Sequence, residues 1–512
     1  MDRRRVLAGA GAAGMSALTG PSLAQGAAPR LGPPRAFSFD GLAAHARALA
    51  GRAYAPPPPA DPVLEQLDFD AFGQIAFDPG MTLWGGAGEP AVRLFPLGKW
   101  FTAPVLIHLV ERGVARPLVY DPRMFRAPRD NPFQRLGLRG GFAGFRVMNP
   151  GGDGGDWLAF LGASYFRTAG AFNQYGASAR ALAINSGGPA PEEFPRFSAF
   201  WLERAPRGGL IVYALLESAS VVGAFRFDNR QTGSGVVQAV EAALFFRRPV
   251  ETLGLAPLTS MFWYGENSPA APRDWRPEIH DSDGLALWTG AGERLWRPLN
   301  NPPRVVTNAF HDNNPRAFGL SQRDRLFDHY QDDGAFYDRR PSIWVEPVSA
   351  FGEGSVRLVE IPSVSETDDN IVAFWTPAQG VTAGSALRLS YRIRWVDQDP
   401  PAVDLARVVA TRLGAGGRPG FPTRSGVRRI DIDFEGEALN GLTRANGVEA
   451  VVSASGGYAV DQLAAYPVVG TRLWRVLFDI GGGHGPADIR VFLRRGSAAL
   501  SETWLYQLFP EK

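Results

Sequence analysis

The chain of 512 residues contains no cysteine. Disulfides and thiol catalysis are therefore excluded, and stability has to come from a large apolar core. Lysine is almost missing too: Lys99 and Lys512 are the only two, so arginine carries the positive charge. This is a compositional bias to which we attach no function. Basic and acidic residues nearly balance, 53 against 51, and no basic tract rises above a solvated face. Nucleic acid is thus not an expected partner. The six histidines are scattered, without an H-x-x-x-H pair. His280 and His311, each followed by Asp, read as structural or supporting residues, not zinc ligands. No stretch after the N-terminal region is long and apolar enough for a membrane helix. A nucleophile elbow is also missing: in the nearest approach, Gly162-Ala163-Ser164-Tyr165-Phe166, Phe166 stands where the turn needs its second glycine.

What is present begins with Arg3-Arg4-Arg5-Val6-Leu7, a Gly/Ala-rich, mildly apolar stretch over 8–18, and Ser22-Leu23-Ala24 before Gln25. This pattern predicts an export signal of the twin-arginine type over 1–24 and an exported protein. Beyond it, short runs alternate apolar and polar residues between Gly, Pro, Asn and Asp, as in 210–216, 239–246 and 387–395. That is the signature of packed antiparallel sheets, and it predicts an all-β protein. Two helices are expected, over 42–53 and, shorter, over 324–331, with the prolines 56–59 forming an extended linker after the first. A boundary is expected near Asp397-Gln398-Asp399-Pro400-Pro401. It divides a large β-sandwich, 25–396, from an immunoglobulin-like β-sandwich, 397–512. The Gly-rich run 413–426 has no helix or Gly-Lys-Ser/Thr to make a phosphate cradle. It is either a plain hairpin tip or a flap over a cleft, with Arg418 and Arg424 as donors to sugar hydroxyls.

Two acidic clusters stand out: His280-Asp281-Ser282-Asp283-Gly284 and Ser365-Glu366-Thr367-Asp368-Asp369-Asn370. Each is followed by an aromatic-bearing, strand-like run. Carboxylates at strand ends among Trp and Tyr suit glycosidic chemistry, in which one acid protonates the leaving oxygen and another activates water. Acidic loop residues in solvent are the plainer reading for any single Asp. Asp281-Ser282-Asp283 also matches a metal-binding D-x-D, but that pattern belongs to enzymes using nucleotide sugars, which the export signal disfavours. As an EF-hand it fails, because Gly284 comes too early and Gly292 stands where Glu is required. No metal and no cofactor is therefore expected. Trp263-Tyr264-Gly265-Glu266-Asn267, Tyr330, Tyr337-Asp338-Arg339-Arg340 and Trp344-Val345-Glu346 supply aromatic and charged residues for a carbohydrate cleft. Core packing accounts for about half of such rings.

Several long motifs resemble the periplasmic glucan biosynthesis proteins, OpgG/OpgD or MdoG/MdoD. They are Phe-Leu-Gly-Ala-Ser-Tyr-Phe-Arg (160–167), Met-Phe-Trp-Tyr-Gly-Glu-Asn (261–267), His-Asp-Ser-Asp-Gly-Leu (280–285) and Trp-Arg-Pro-Leu-Asn-Asn-Pro (296–302). Further matches lie at 314–325, 338–347, 356–362 and 369–377. The twin-arginine start is more similar to the OpgD branch. The resemblance implies a large sandwich of the galactose-mutarotase type followed by an immunoglobulin-like domain. It also implies work on osmoregulated periplasmic glucans with a β-1,2-linked backbone, by anomer-inverting endo-β-1,2-glucanase (glycoside hydrolase family 186) or transglycosylase activity. By resemblance the general acid maps to Asp369 and the general base to Asp281, with Tyr337 and Glu366 around the site. Asp283, Trp263, Tyr264, Arg340 and Trp344 complete the expected substrate-binding set. β-1,2-glucan is the expected ligand. An inner-membrane glucan synthase and a second copy of the chain are the protein partners to be weighed. The rival reading is a non-catalytic, glucan-binding scaffold for that synthase.

Overall fold

The computed structural model describes residues 29–150, 154–268, 274–400, 404–417, 420 and 425–509. The expected export segment lies outside them, as do Arg418 and Arg424. The protein is all-β, with three α-helices among the described residues. Two large antiparallel-rich sheets, of sixteen and eleven strands, face each other. Strand alternation decides what lies between them. In Leu210–Glu217, Val212, Ala214 and Leu216 point into the inter-sheet core, whereas Tyr213 and Leu215 point away. The core is rich in phenylalanine: Phe145, Phe160, Phe166, Phe197, Phe200, Phe225 and Phe227 pack in stacked and edge-on pairs with centroids 5.0–6.5 Å apart.

The outward face of the larger sheet is covered by the helix Phe39–Ala50, which lays Leu42, Ala43 and Ala46 on Ala199, Tyr213, Leu215, Val222 and Phe245. This helix starts three residues earlier than its apolar stripe suggests. Ser38 is the N-cap, its Oγ accepting from the Gly41 N–H at 3.1 Å. The second expected helix shrinks to Phe327–Tyr330, because Gln331 turns left-handed at φ 55°.

The strands after residue 396 form a four-stranded sheet, Arg407–Ala415, Arg428–Glu435, Trp474–Gly481 and Ala459–Pro467, facing Val448–Ala454, Ala487–Arg495 and Thr503–Leu508. The latter group is continuous with the sixteen-stranded sheet: Thr503–Leu508 pairs in parallel with Arg294–Pro298, Trp296 opposite Trp504. The apolar cluster of this C-terminal part accordingly includes Ala286, Trp296, Ala317 and Trp344 from before residue 396. The Gly-rich run begins inside a strand, since Leu413, Gly414 and Ala415 pair with Ile430, Arg429 and Arg428.

One buried cation ties the two parts together. The Arg323 side chain, 7% exposed, donates from Nε to Asp399 at 2.7 Å and from Nη1 to Glu502 at 2.5 Å and to the Val408 carbonyl at 2.9 Å. Its guanidinium lies 3.7 Å from the centroid of the Trp296 ring. Burial raises the Asp399 carboxyl, but the Arg323 charge together with hydrogen bonds from Ser321, Arg323 and Trp344 outweighs it and holds Asp399 below the usual range. Arg323→Met leaves Asp399 and Glu502 buried without a counter-charge. It should lower the free energy of unfolding in urea by about 3–5 kcal/mol, and equilibrium unfolding followed by tryptophan fluorescence measures it.

Candidate active site

Two loops 88 residues apart in sequence dock on one short strand, Phe262–Tyr264. The Asp281 N–H donates to the Met261 carbonyl at 2.8 Å. On the second loop, the Asn370 side chain accepts from the Phe262 N–H at 2.8 Å and donates to the carbonyls of Phe262 and Ile361 at 2.9 and 3.0 Å. Asp281 and Asp369, the neighbour of Asn370, are thereby anchored to consecutive residues of one backbone. Both loops open directly into strands, Gly284–Trp288 and Ile371–Pro377, whose pairing holds their far ends. Gly284 has to be glycine because a Cβ there would meet the Trp296 ring at 2.2 Å.

The two carboxyls have opposite surroundings. Asp281 is buried and ion-paired with Nη1 of Arg340. Arg340 is held in place by the Tyr337 ring, 4.0 Å from its guanidinium, and by the Ala335 carbonyl. Asp369 is half-buried, and its Oδ2 is cut off from solvent without a hydrogen-bond partner. Burial pushes its carboxyl up to about 6, against the pull of Arg167, Arg180 and Arg340 and with a further push from Asp368. Asp369 thus keeps its proton to about 6, whereas Asp281 is paired with an arginine.

Glu366 belongs to the same constellation. It accepts from the Tyr337 hydroxyl at 2.6 Å and from Arg276 at 2.8 and 3.2 Å. Arg276 also binds Asp274 and Asp332, at 2.6 and 2.8 Å. At 35% exposure, Glu366 is more open to solvent than Asp281, at 7%.

The other expected site residues divide. Trp263 is half-buried, packing against the Tyr264 ring, and its carbonyl accepts from Asn301. Tyr264 is buried, and its hydroxyl donates to Asp274 and to the Arg276 carbonyl, both at 3.2 Å, so it supports the Arg276 segment. Asp283 accepts the backbone N–H groups of Arg323 and Asp324 at 2.8–2.9 Å. Burial pushes its carboxyl up to about 6, and these bonds make it a brace for the loop. Trp344 has to be corrected. It is 2% exposed, packs in the C-terminal apolar cluster and donates from Nε1 to Asp399 at 3.1 Å. A ring so enclosed has no face for a sugar.

His280 lies under the first loop. Gln322 donates from Nε2 to the Tyr330 hydroxyl and to the carbonyls of His280 and Tyr337, which turns its Oε1 toward His280 Nδ1 at 3.0 Å. Glu278 faces Nε2, also at 3.0 Å. Both ring nitrogens thus meet acceptors. Although burial opposes the charge, Glu278, with Asp283 and Asp324, raises the His280 pKa above its usual value. His311 is on an exposed position of the edge strand Val306–Asn313 and takes no part. Glu278, Asp324 and His329 bring ligand atoms within 4.8 Å of one another. However, Asp324 and His329 are already paired with each other, and Glu278 with His280. Arg276, Asp332, Gln322 and Glu278 were not singled out in the sequence. Each is a lone polar residue in a loop or at a strand end, and no local pattern marks it.

A family model described as periplasmic glucan biosynthesis protein, MdoG, matches residues 37–508. Glucans biosynthesis protein D 2 of Ralstonia nicotianae is 46% identical over 532 aligned positions, covering 100% of this chain and 98% of its own. Glucans biosynthesis protein D of Xanthomonas oryzae pv. oryzae is 44% identical over 533 positions, with the same coverage. Among solved structures, a galactose mutarotase related enzyme from Lactobacillus acidophilus aligns with 49% of this chain and 94% of its own, at 8% identity and a TM-score of 0.23.

The raised Asp369 carboxyl has a stability consequence whose sign is fixed by linkage. Its folded value, about 6, lies above that of an unfolded aspartate. Its contribution is therefore favourable at low pH and is lost as pH rises through about 6. Asp369→Asn removes that loss. The variant should melt higher than wild type at pH 7.5, with the gap closing toward pH 4, in paired thermal scans.

Proposed function

The chain belongs to the periplasmic glucan biosynthesis family of the MdoG model, and from that membership we propose that it cleaves or transfers the β-1,2-linked backbone of periplasmic glucans with inversion at the anomeric carbon. Its place is periplasmic glucan biosynthesis; the activity is our reading of the site. The observation that carries it is the contrast between Asp369, whose buried Oδ2 has no hydrogen-bond partner and whose carboxyl is raised to about 6, and Asp281, charge-paired to Arg340.

In this mechanism Asp369 gives its proton to the glycosidic oxygen as the C1–O bond breaks. Asp281 takes a proton from the incoming water, or from a sugar hydroxyl in transfer, as the new C1–O bond forms on the opposite face. Arg340 places its positive charge directly beside Asp281, while burial holds the Asp369 carboxyl up at about 6. Tyr337 is committed to Glu366 through its hydroxyl and to Arg340 through its ring, and it holds both in place. Glu366, with part of its carboxylate in solvent, is the natural acceptor for glucose hydroxyls. Export by the twin-arginine route and division into units at 25–396 and 397–512 belong to the same proposal.

Purified protein incubated with linear β-1,2-glucan should shorten or rearrange it, and NMR should show new reducing ends as the α-anomer. Glucan left unchanged at high enzyme concentration favours the scaffold reading. Asp369→Asn and Asp281→Asn should each lower kcat by about 10²–10⁴-fold while retaining glucan binding. Because the acid must carry its proton, the rate should fall as pH rises above about 6; a profile still rising through pH 7 contradicts the role of Asp369.

A further inference from the structure

Trp275 is 68% exposed, yet the backbone on both sides of it is tightly held. Asp274 accepts from the Arg276 N–H at 2.8 Å and from its Nη2 at 2.6 Å. The Tyr264 hydroxyl donates to both the Asp274 carboxylate and the Arg276 carbonyl. The Arg276 guanidinium, 6.0 Å from the Trp275 ring centroid, is itself fastened to Asp332 and Glu366. An exposed indole on a loose loop is unremarkable. An indole presented to water by two pinned neighbours has a defined position and loses little freedom when a ligand covers it. Arg276, whose side chain is only 12% exposed, thus links the partly open Glu366 carboxylate to the exposed Trp275. Val364, 71% exposed and two residues from Glu366, leaves a second apolar surface at the mouth of the same loop.

We infer that Trp275 is a stacking platform for a glucosyl ring of the bound chain, seated outside the position of bond cleavage and reached only by longer glucans. The inference rests on the glucan reading of the site. The apolar C–H face of a pyranose matches the flat indole, and Glu366 and Arg276 beside it can serve the ring's hydroxyls. Because this contact is remote from the reacting carbon, it sets how strongly chain length helps binding.

The test compares KM for linear β-1,2-glucans of graded length in wild type, Trp275→Ala and Trp275→Phe. Wild-type KM should fall as the chain becomes long enough to reach the platform. In Trp275→Ala that length advantage should shrink by about three- to tenfold, and Trp275→Phe should restore most of it. Undiminished length dependence in a folded Trp275→Ala overturns the platform while leaving the glucan reading intact. A wild-type control that neither cleaves nor binds glucan of any length overturns that reading, and the ligand assigned to Trp275 with it. Binding of long glucan to the Asp369→Asn variant should also change tryptophan fluorescence, and this change should diminish in the Asp369→Asn/Trp275→Ala pair.

Discussion

The Arg323 guanidinium is the point through which the main parts of the molecule constrain one another. It neutralises Asp399 from the segment between the two sets of strands and Glu502 from the C-terminal set, while Trp296 covers its face. Its own backbone N–H and that of Asp324 bind Asp283, two residues from Asp281. A buried arginine with two carboxylates is sensitive to geometry, since losing one partner strands a charge in the interior. The placement of the C-terminal strands and the seating of the Asp281 loop are thus parts of one electrostatic arrangement.

That arrangement seats two carboxyls of opposite surroundings on neighbouring residues of one short backbone segment. The Phe262–Tyr264 strand receives the Asp281 loop on one side and Asn370 on the other through hydrogen bonds that leave little freedom. The positive charges are then distributed unequally. Arg340 contacts Asp281 directly. The charges of Arg167, Arg180 and Arg340 pull the Asp369 carboxyl down, but burial prevails. A second polar layer, His280 with Glu278 and Gln322, fixes the underside of the loop.

The C-terminal strands do more than append a second sandwich. By extending the sixteen-stranded sheet through Thr503–Leu508, they cover the outer face of Ser342–Pro347. Ile343 and Val345 there point into the inter-sheet core, and Trp344 points into the C-terminal cluster. A strand buried on both faces carries apolar residues at successive positions, and an aromatic residue in it says nothing about ligands.

Much was readable from residues alone: the all-β class from period-two alternation, the first helix from its apolar stripe, and the two acidic loops from their carboxylate density beside strand-like runs. These features are local, and local pattern follows from which face each residue must bury. The long motifs shared with the family carried the reading of Asp281 and Asp369 further than spacing could. What residues alone could not reveal was which groups meet. Arg340 facing Asp281, Arg276 gathering Asp274, Asp332 and Glu366, Asn370 clasping Phe262, and Arg323 between Asp399 and Glu502 join positions up to 179 residues apart. The sequence determined the strands and supplied the carboxylates. Only the tertiary structure decided which carboxylate is neutralised by an arginine and which is left to burial, because charge state depends on neighbours in space and not along the chain.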